Sequence, residues 1–185
     1  SSSFLQEFLK ENHQNTSAIM PVHMLGEACD IENICIIAKK YKIPVIEDNC
    51  EALGGMFKNK MLGNWGELGT YSFDYGKIIT SGEGGLISGS KQAIYSAYKL
   101  HDHGHEKNAL NRAQEKSKIQ ALNFRYSELQ AAVILAQFSK LEKILSDNKI
   151  RYLALQNQLA NFKRPLHLGC IPSFDTFMIK TDEKT

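Results

Sequence analysis

Lys77 is the residue of this sequence whose surroundings most clearly suggest chemistry. It follows Ser72 by five positions and precedes the glycine-rich run 80–85, which reads TSGEGG. Small and hydroxyl residues beside glycine let backbone amides approach a phosphate group, and the Ser72 hydroxyl adds a donor. An amine beside a phosphate-binding turn is typical of a lysine that forms a Schiff base. The alternative is an ordinary solvated lysine, as most lysines are.

Asp48 is the natural complement to this lysine. It follows residues 43–46, an apolar run that predicts a short strand, and ligands of α/β sheets gather beyond the carboxyl ends of strands. A pyridoxal ring withdraws electrons effectively while its ring nitrogen is protonated, and a buried carboxylate facing that nitrogen keeps the proton there. Asp48 could instead cap a turn, and its position alone does not separate the two roles.

The elements that must position these residues follow an α/β pattern. Apolar residues at helical spacing predict a helix over residues 2–12, and residues 18–22 predict a strand near a sheet edge because they include a proline. A helix capped by Asp30 follows, and the strand at residues 43–46 completes a βαβ unit with parallel strands.

The second half of the chain predicts further strands and one long helix. Residues 70–73 and 85–88 predict strands, and so do residues 176–179 at the other end of this half. Residues 127–130 form a capping box, and the helix that they start is expected to extend towards Phe162. The apolar stripe of that helix is predicted to contain Leu129, Val133, Ala136, Leu141 and Leu145.

Composition narrows the class of protein. The 43% of hydrophobic residues is ordinary for a folded globular chain, and 22 basic against 20 acidic residues leave a charge of +2, too little to hold a nucleic acid. No apolar run approaches the roughly 20 residues that span a bilayer. Cys29, Cys35, Cys50 and Cys170 have neither zinc-site nor disulfide spacing, so we expect a reducing cytoplasm.

Histidines provide two further candidates. His101, His103 and His105 have a spacing that could bind a metal, but they lack a Cys or Glu framework, so we expect no metal site. His23 lies at the predicted end of a strand near the expected cleft, where it is either a structural histidine or a site residue.

Five blocks of the sequence occur in an order and spacing that resemble a known family. They are residues 22–26 (VHMLG), 46–54 (IEDNCEALG), 63–69 (GNWGELG), 72–85 (SFDYGKIITSGEGG) and 123–132 (NFRYSELQAA). They resemble the sugar aminotransferases of the DegT/DnrJ/StrS type over about residues 17–150. Five blocks in register are much harder to reach by chance than one glycine motif.

This resemblance implies the fold and the extent of the chain. The expected fold is α/β, the central part of the large domain of a fold type I pyridoxal-phosphate-dependent transferase, with a mostly parallel sheet flanked by helices. Residues 1–150 would be a partial cofactor-binding large domain. Residues 151–185 would be a connecting helix and the beginning of the small domain. Because family members are considerably longer, we expect a fragment that alone holds the cofactor weakly.

The same resemblance implies roles for five residues. Lys77 would form the Schiff base with pyridoxal 5'-phosphate and then move the proton between substrate and cofactor. Asp48 would pair with the ring nitrogen, and Ser72 would bind the phosphate. Asn123 is similar to an asparagine that reaches the cofactor of the neighbouring subunit, which implies a homodimer. Glu51 occupies a position where many relatives carry Gln or His near the phenolate oxygen, and a carboxylate there would repel that anion unless turned away or protonated.

The resemblance implies an activity of amino transfer from glutamate to a keto sugar. The sugar is expected to be nucleotide-linked and to serve surface polysaccharide, lipopolysaccharide or amino-sugar biosynthesis. Two alternatives stay open. One is a pyridoxal-phosphate-dependent sugar dehydratase, although such relatives carry His where this chain has Lys77. The other is a non-catalytic homologue that acts as an interaction module.

Overall fold

The computed structural model describes residues 1–106, 119–159 and 166–179, which contain five α-helices and six short strands. The helices are α1 (Ser2–Asn12), α2 (Ile31–Tyr41), α3 (Lys91–His101), α4 (Glu128–Phe138) and α5 (Leu141–Gln158). The strands are β1 (Ile46–Asp48), β2 (Met56–Phe57), β3 (Lys60–Met61), β4 (Leu68–Ser72), β5 (Gly85–Gly89) and β6 (Cys170–Ile171). Within these residues, no helix combines the length and apolarity that crossing a membrane requires.

The larger sheet has the strand order β1-β4-β5 and brings two strand ends to one edge. β1 and β4 are parallel, with Asp48 opposite Thr70, and β5 runs antiparallel to β4. The sheet is therefore mixed within the described residues. The predicted strand at residues 18–22 forms two isolated parallel bridges to the β1 segment, at Ile19 and Val22, instead of a regular strand. Its proline has no N–H to donate.

The smaller sheet has the order β3-β2-β6 and consists of two-residue strands. β2 and β3 form a hairpin whose turn residues, Lys58 and Asn59, both have positive φ angles of 47° and 62°. Such angles suit the right-handed twist of a two-residue hairpin. β6 joins β2 in antiparallel pairing. The strand predicted at residues 176–179 is wrong for residues 176–178, which contain no strand.

Two clusters of buried side chains hold these elements together. The first packs α2 against β1 and the small sheet through Ala28, Ile31, Ala38, Val45, Ala52, Phe57 and Leu62. The second joins the segment after β4 to the α4–α5 pair through Phe73, Ile79 and Ile134. Both clusters border the β1–β4 edge, so buried packing fixes the two loops that leave that edge.

Local signals predicted most helix boundaries. α1 covers residues 2–12 as expected, and α4 begins with the predicted capping box, in which Ser127 and Gln130 bond reciprocally. The prediction that the Asp30 side chain caps α2 is wrong. Asp30 occupies the N-cap position, but its carboxylate accepts hydrogen bonds from the Asn33 side chain at 2.9 and 3.1 Å.

The prediction of one long helix after Ser127 is also wrong, because the helix is interrupted between α4 and α5. The Ser139 hydroxyl donates to the Ala136 carbonyl at 2.8 Å, and such local bonds compete with the regular helix ladder. The predicted stripe fails at Leu129 and Val133, which are exposed, whereas Ile134 is buried. α5 ends at Gln158, and Phe162 lies outside the described residues.

Candidate functional site

Lys77 lies in the turn between β4 and β5, as the sequence predicts. Its backbone N–H donates to the Asp74 carbonyl at 3.1 Å, which closes the turn. Its side-chain Nζ lies 4.0 Å from Oε1 of Glu51, a residue of the loop that follows β1. The parallel pairing of β1 with β4 accounts for this approach, because both loops leave the sheet at the same edge.

Asp48 ends β1 and faces the same edge. Its Oδ1 accepts the backbone N–H of Cys50 at 3.0 Å, so it caps a turn as the alternative prediction proposed. Burial and the neighbouring Asp48 carboxylate raise the pKa of the Cys50 thiol to about 11, although the positive charge of Lys77 lowers it. The thiol therefore lies close enough to both groups to respond to their charges.

Glu51 is turned towards a backbone donor that the sequence did not indicate. Its Oε2 accepts the N–H of Leu25 at 2.7 Å, and Leu25 has an unusual positive φ of 57°. The segment after β6 closes the same junction, because Ser173 donates its N–H to the Gly26 carbonyl at 3.0 Å and its hydroxyl to the Glu51 carbonyl at 3.1 Å. Two separate segments thus hold the Glu51 loop.

Asp175 is a further acidic residue at this junction that sequence reasoning missed. Partial burial and the Glu51 carboxylate raise the pKa of Asp175, while Lys77 lowers it. Its signal in the sequence is weak, since it lies about 100 positions after Lys77 in a segment without a recognised motif.

Ser72 and the glycine-rich run form a compact hydroxyl-rich turn. Ser72 Oγ accepts the N–H of Asp74 at 3.2 Å, and Thr80 Oγ1 accepts the N–H of Gly82 at 2.9 Å. The Ser81 hydroxyl bonds to the Tyr126 hydroxyl. Hydroxyl groups and amide donors therefore lie on both sides of Lys77 along the chain, as an anion-binding turn requires.

Asn123 lies on an exposed segment beside the end of α3. It forms an isolated antiparallel bridge with Asp102, and its Oδ1 accepts hydrogen bonds from the backbone N–H and Nε of Arg125 at 3.2 and 3.1 Å. Its neighbours Leu122 and Phe124 are exposed apolar residues. Asn123 bonds to Asp102 and Arg125, whereas Lys77, Asp48, Glu51 and Ser72 lie at the β1–β4 edge.

Glu47 and His23 form a buried pair next to Asp48. Both side chains are fully buried, and His23 Nε2 lies 3.0 Å from Glu47 Oε2. The Glu47 carboxylate also accepts backbone N–H groups of Gly63, Trp65 and Gly66 at 2.5 to 2.8 Å. His23 is therefore a satisfied structural histidine. The sequence signal that was missed is a charged residue at a strand position whose side chain points into the core. Such a residue needs hydrogen-bond partners there.

The pKa of Glu47 reflects this environment. Burial alone would raise the pKa, but hydrogen bonds from His23, Gly66 and Gly63 outweigh it and hold the pKa below the ordinary value. A carboxylate with a lowered pKa stabilises the folded chain above the ordinary Glu pKa. That contribution is lost as the pH falls through the folded-state pKa.

The histidines after α3 have ordinary hydrogen-bond partners. His101 Nδ1 lies 2.7 Å from the Tyr98 carbonyl oxygen, and His103 Nδ1 lies 3.5 Å from Asp102 Oδ1. Among the described residues, no group of three or more His, Cys, Asp or Glu side chains is arranged to hold a metal ion. A cavity of about 590 Å³ lies between β4, β5 and α3, and Lys77 does not line it.

Comparison with solved structures defines the class. The chain shares its fold with GDP-4-keto-6-deoxy-D-mannose-3-dehydratase of E. coli, solved with bound hydrated pyridoxal phosphate, at a TM-score of 0.81 and 24% identity, covering 100% of this chain and 51% of that one. The fold is that of the fold type I pyridoxal-phosphate-dependent transferases. More specifically, the chain belongs to the DegT/DnrJ/EryC1/StrS aminotransferase family, whose model matches residues 10–183.

Two curated relatives illustrate how much of the family the chain represents. It is 36% identical over 132 residues to GDP-perosamine synthase of Caulobacter vibrioides, which covers 71% of this chain and 34% of the relative. It is 28% identical over 176 residues to GDP-perosamine synthase of Vibrio cholerae, which covers 95% of this chain and 47% of the relative. The chain therefore matches less than half the length of either relative.

Proposed function

We propose that this chain is part of a pyridoxal-phosphate-dependent enzyme that transfers an amino group from glutamate to a keto sugar. The family supports the cofactor and the reaction class. The relatives named GDP-perosamine synthase support a nucleotide-linked sugar as substrate and a role in amino-sugar or surface polysaccharide biosynthesis.

One structural observation carries the proposal. The amine of Lys77 and the carboxylates that follow β1 meet at a single sheet edge, with Lys77 4.0 Å from Glu51 and with Cys50 responding to both Asp48 and Lys77. The donor set fits pyridoxal phosphate chemically. It combines a carboxylate for a ring nitrogen, an amine for an aldehyde, and hydroxyl and amide groups for a phosphate.

Each residue then has a role that follows from its group. Pyridoxal phosphate supplies, when bound, an aldehyde that captures amines and a ring that withdraws electrons. Asp48 holds a proton on the ring nitrogen, and Ser72 donates its hydroxyl to the phosphate. Lys77 would hold the aldehyde through its Nζ, and the same Nζ, when free, would accept and return the substrate proton.

Glu51 borders this site, and its carboxylate has partners within the chain. One oxygen accepts the N–H of Leu25, and the other lies 4.0 Å from the amine of Lys77. These partners support the expectation that a carboxylate at this position is turned away from the anionic oxygen of the ring. We assign Glu51 to the cofactor pocket as a residue that orients Lys77.

Asn123 supports a homodimer with shared sites. It is exposed, and Leu122 and Phe124 beside it expose 64% and 68% of their surface. Exposed apolar residues next to a polar anchor are typical of a surface that another subunit covers. In this arrangement Asn123 reaches the phosphate of the partner's cofactor.

Borohydride trapping tests the proposal directly. The chain is incubated with pyridoxal phosphate and glutamate-free buffer, reduced, digested and analysed by mass spectrometry. We expect the reduced pyridoxyl group on the peptide that contains Lys77. The Lys77→Ala variant should take up no label and should not catalyse amino transfer from glutamate. The control variant Lys91→Ala, which lacks an exposed lysine at the start of α3, should keep the label. Labelling that persists in Lys77→Ala would contradict the proposal.

The two alternatives predict different products and different assembly. A dehydratase shares this fold, but the amine at Lys77 favours amino transfer because a site without it cannot bind the aldehyde covalently. Product analysis separates the two, since amino transfer adds nitrogen whereas dehydration removes a hydroxyl group. A chain that self-associates in sedimentation experiments but takes up no pyridoxal phosphate would favour the interaction module.

A further inference from the structure

The His23–Glu47 pair is fully buried, and the proposed amino-transfer chemistry does not use it. Isolation of a carboxylate from water costs several kcal/mol unless its oxygens are fully hydrogen-bonded. Glu47 meets this requirement with four donors: the His23 ring and the N–H groups of Gly63, Trp65 and Gly66. Because all four donors bond to the one carboxylate of Glu47, this residue holds together the segments that provide them.

The protonation state of His23 follows from its own hydrogen bonds. The backbone N–H of Cys29 donates to Nδ1 of His23 at 3.2 Å, so Nδ1 carries a lone pair. The ring proton is therefore on Nε2, which donates to Glu47 Oε2 at 3.0 Å. The pair consists of a neutral imidazole and a carboxylate, and the ring is fixed at both nitrogens.

This pair holds the backbone of Asp48 from one side. The N–H of His23 donates to the Asp48 carbonyl at 3.0 Å, and the N–H of Asp48 donates to the Pro21 carbonyl at 2.9 Å. The segment that contains Pro21 and His23 therefore bonds to the backbone of Asp48. The same segment carries the histidine ring that Glu47 holds.

From the other side, Glu47 holds loop 63–66 against the sheet. The backbone at Gly66 packs closely against the residue that precedes β1, because a Cβ at this position would lie 2.4 Å from the Val45 carbonyl oxygen. The Gly63 carbonyl accepts the Ser88 hydroxyl of β5 at 3.2 Å, which links the loop to the strand that follows Lys77. Glu47 therefore joins the neighbours of Asp48 on both sides.

We propose that the His23–Glu47 pair positions Asp48, so that the carboxylate of Asp48 keeps a fixed place at the sheet edge. Glu47 is a positioning residue and His23 its orienting partner. The consequence for cofactor binding rests on the proposed function, whereas the positioning itself is a property of the chain alone and can be measured without cofactor.

Amide hydrogen exchange of the chain without cofactor provides the test. In Glu47→Gln, one acceptor oxygen becomes an NH₂ group that faces N–H donors. Because a hydrogen bond to a charged group is lost, we expect exchange at the amides of His23, Asp48 and Gly66 to accelerate about tenfold or more. Exchange in α4 should stay unchanged. Glu32→Gln, which changes a partly exposed carboxylate bonded to Lys58, should leave the His23 and Asp48 amides as they are.

Two outcomes would overturn the inference. One is an unchanged exchange rate at Asp48, and the other is a uniform acceleration that includes α4, which would show that Glu47 contributes only to global stability. If Glu47→Gln does not fold, His23→Gln gives the same test, since its amide can donate to Glu47 but cannot also bind Cys29 as the ring does.

A second measurement separates this inference from the proposed function. We expect Glu47→Gln to weaken binding of pyridoxal phosphate about tenfold, in parallel with Asp48→Asn, while Glu32→Gln binds as the original chain does. Binding of pyridoxal phosphate by the original chain tests the proposed function alone, and the exchange experiment decides without cofactor whether the pair positions Asp48.

Discussion

The two sides of the larger sheet differ in the kind of side chain that they bury or expose. On the β1 side, which comprises α2, β1 and residues 49–66, the carboxylate of Glu47 is buried and fully bonded. On the β5 side, which comprises β5, α3 and residues 119–138, apolar groups lie at the surface. Leu129 and Leu135 of α4 expose 83% and 69% of their surface.

The two sides differ in where the groups that would stabilise them are found. Buried charges on the β1 side are stable because their hydrogen-bond partners belong to the same chain. On the β5 side, the exposed apolar groups and the open cavity of about 590 Å³ provide a surface that packing against more protein would stabilise. The contrast agrees with the proposal that a second subunit contacts the segment around Asn123.

Truncation of one apolar residue on each side should give the largest contrast. Ile31 is fully buried in the first core cluster, whereas Leu129 is mostly exposed. We expect Ile31→Ala to lower the free energy of unfolding by about 2–5 kcal/mol, because it removes packed atoms and leaves a cavity. Leu129→Ala should change it by less than about 0.5 kcal/mol. Urea denaturation measures both, and equal losses would contradict the distinction between the sides.

A pair of glycines tests the tight packing of the β1 side. A Cβ at Gly66 would lie 2.4 Å from the Val45 carbonyl oxygen, whereas one at Gly76 meets only Asp74 Oδ2 at 3.8 Å. We expect Gly66→Ala to destabilise the chain by about 1–3 kcal/mol, because backbone atoms must shift. Gly76→Ala should be neutral or slightly stabilising, since alanine restricts the unfolded chain. Thermal melting measures the stability of both variants. A larger loss of stability in Gly76→Ala than in Gly66→Ala would contradict this prediction.

Sequence predicted the parts of this molecule that depend on neighbouring residues. The capping box at Ser127 and the helix at residues 2–12 have all their signals within a few positions. The turn that carries Lys77 and the strand end at Asp48 were predicted for the same reason, since a short strand followed by polar residues identifies them.

The remaining features depend on contacts between distant positions. The donors to Glu47 come from His23, 24 positions earlier, and from a loop 16 to 19 positions later, so no local pattern identifies them. The orientation of Glu51 likewise depends on Leu25, 26 positions away. Which face of α4 is buried depends on Phe73 and Ile79. Periodicity alone therefore misplaced the apolar stripe.

The cap of α4 should give the smallest effect, because this helix belongs to the more exposed side. Ser127 Oγ accepts the N–H of Gln130 at 3.2 Å and donates to its side-chain oxygen at 2.8 Å. Ser127→Ala removes both bonds and should lower the free energy of unfolding by about 1 kcal/mol. Ser127→Asp keeps an acceptor for the backbone N–H and should stay close to the original chain. A loss in Ser127→Asp as large as that in Ser127→Ala would mean that the hydroxyl acts through another contact.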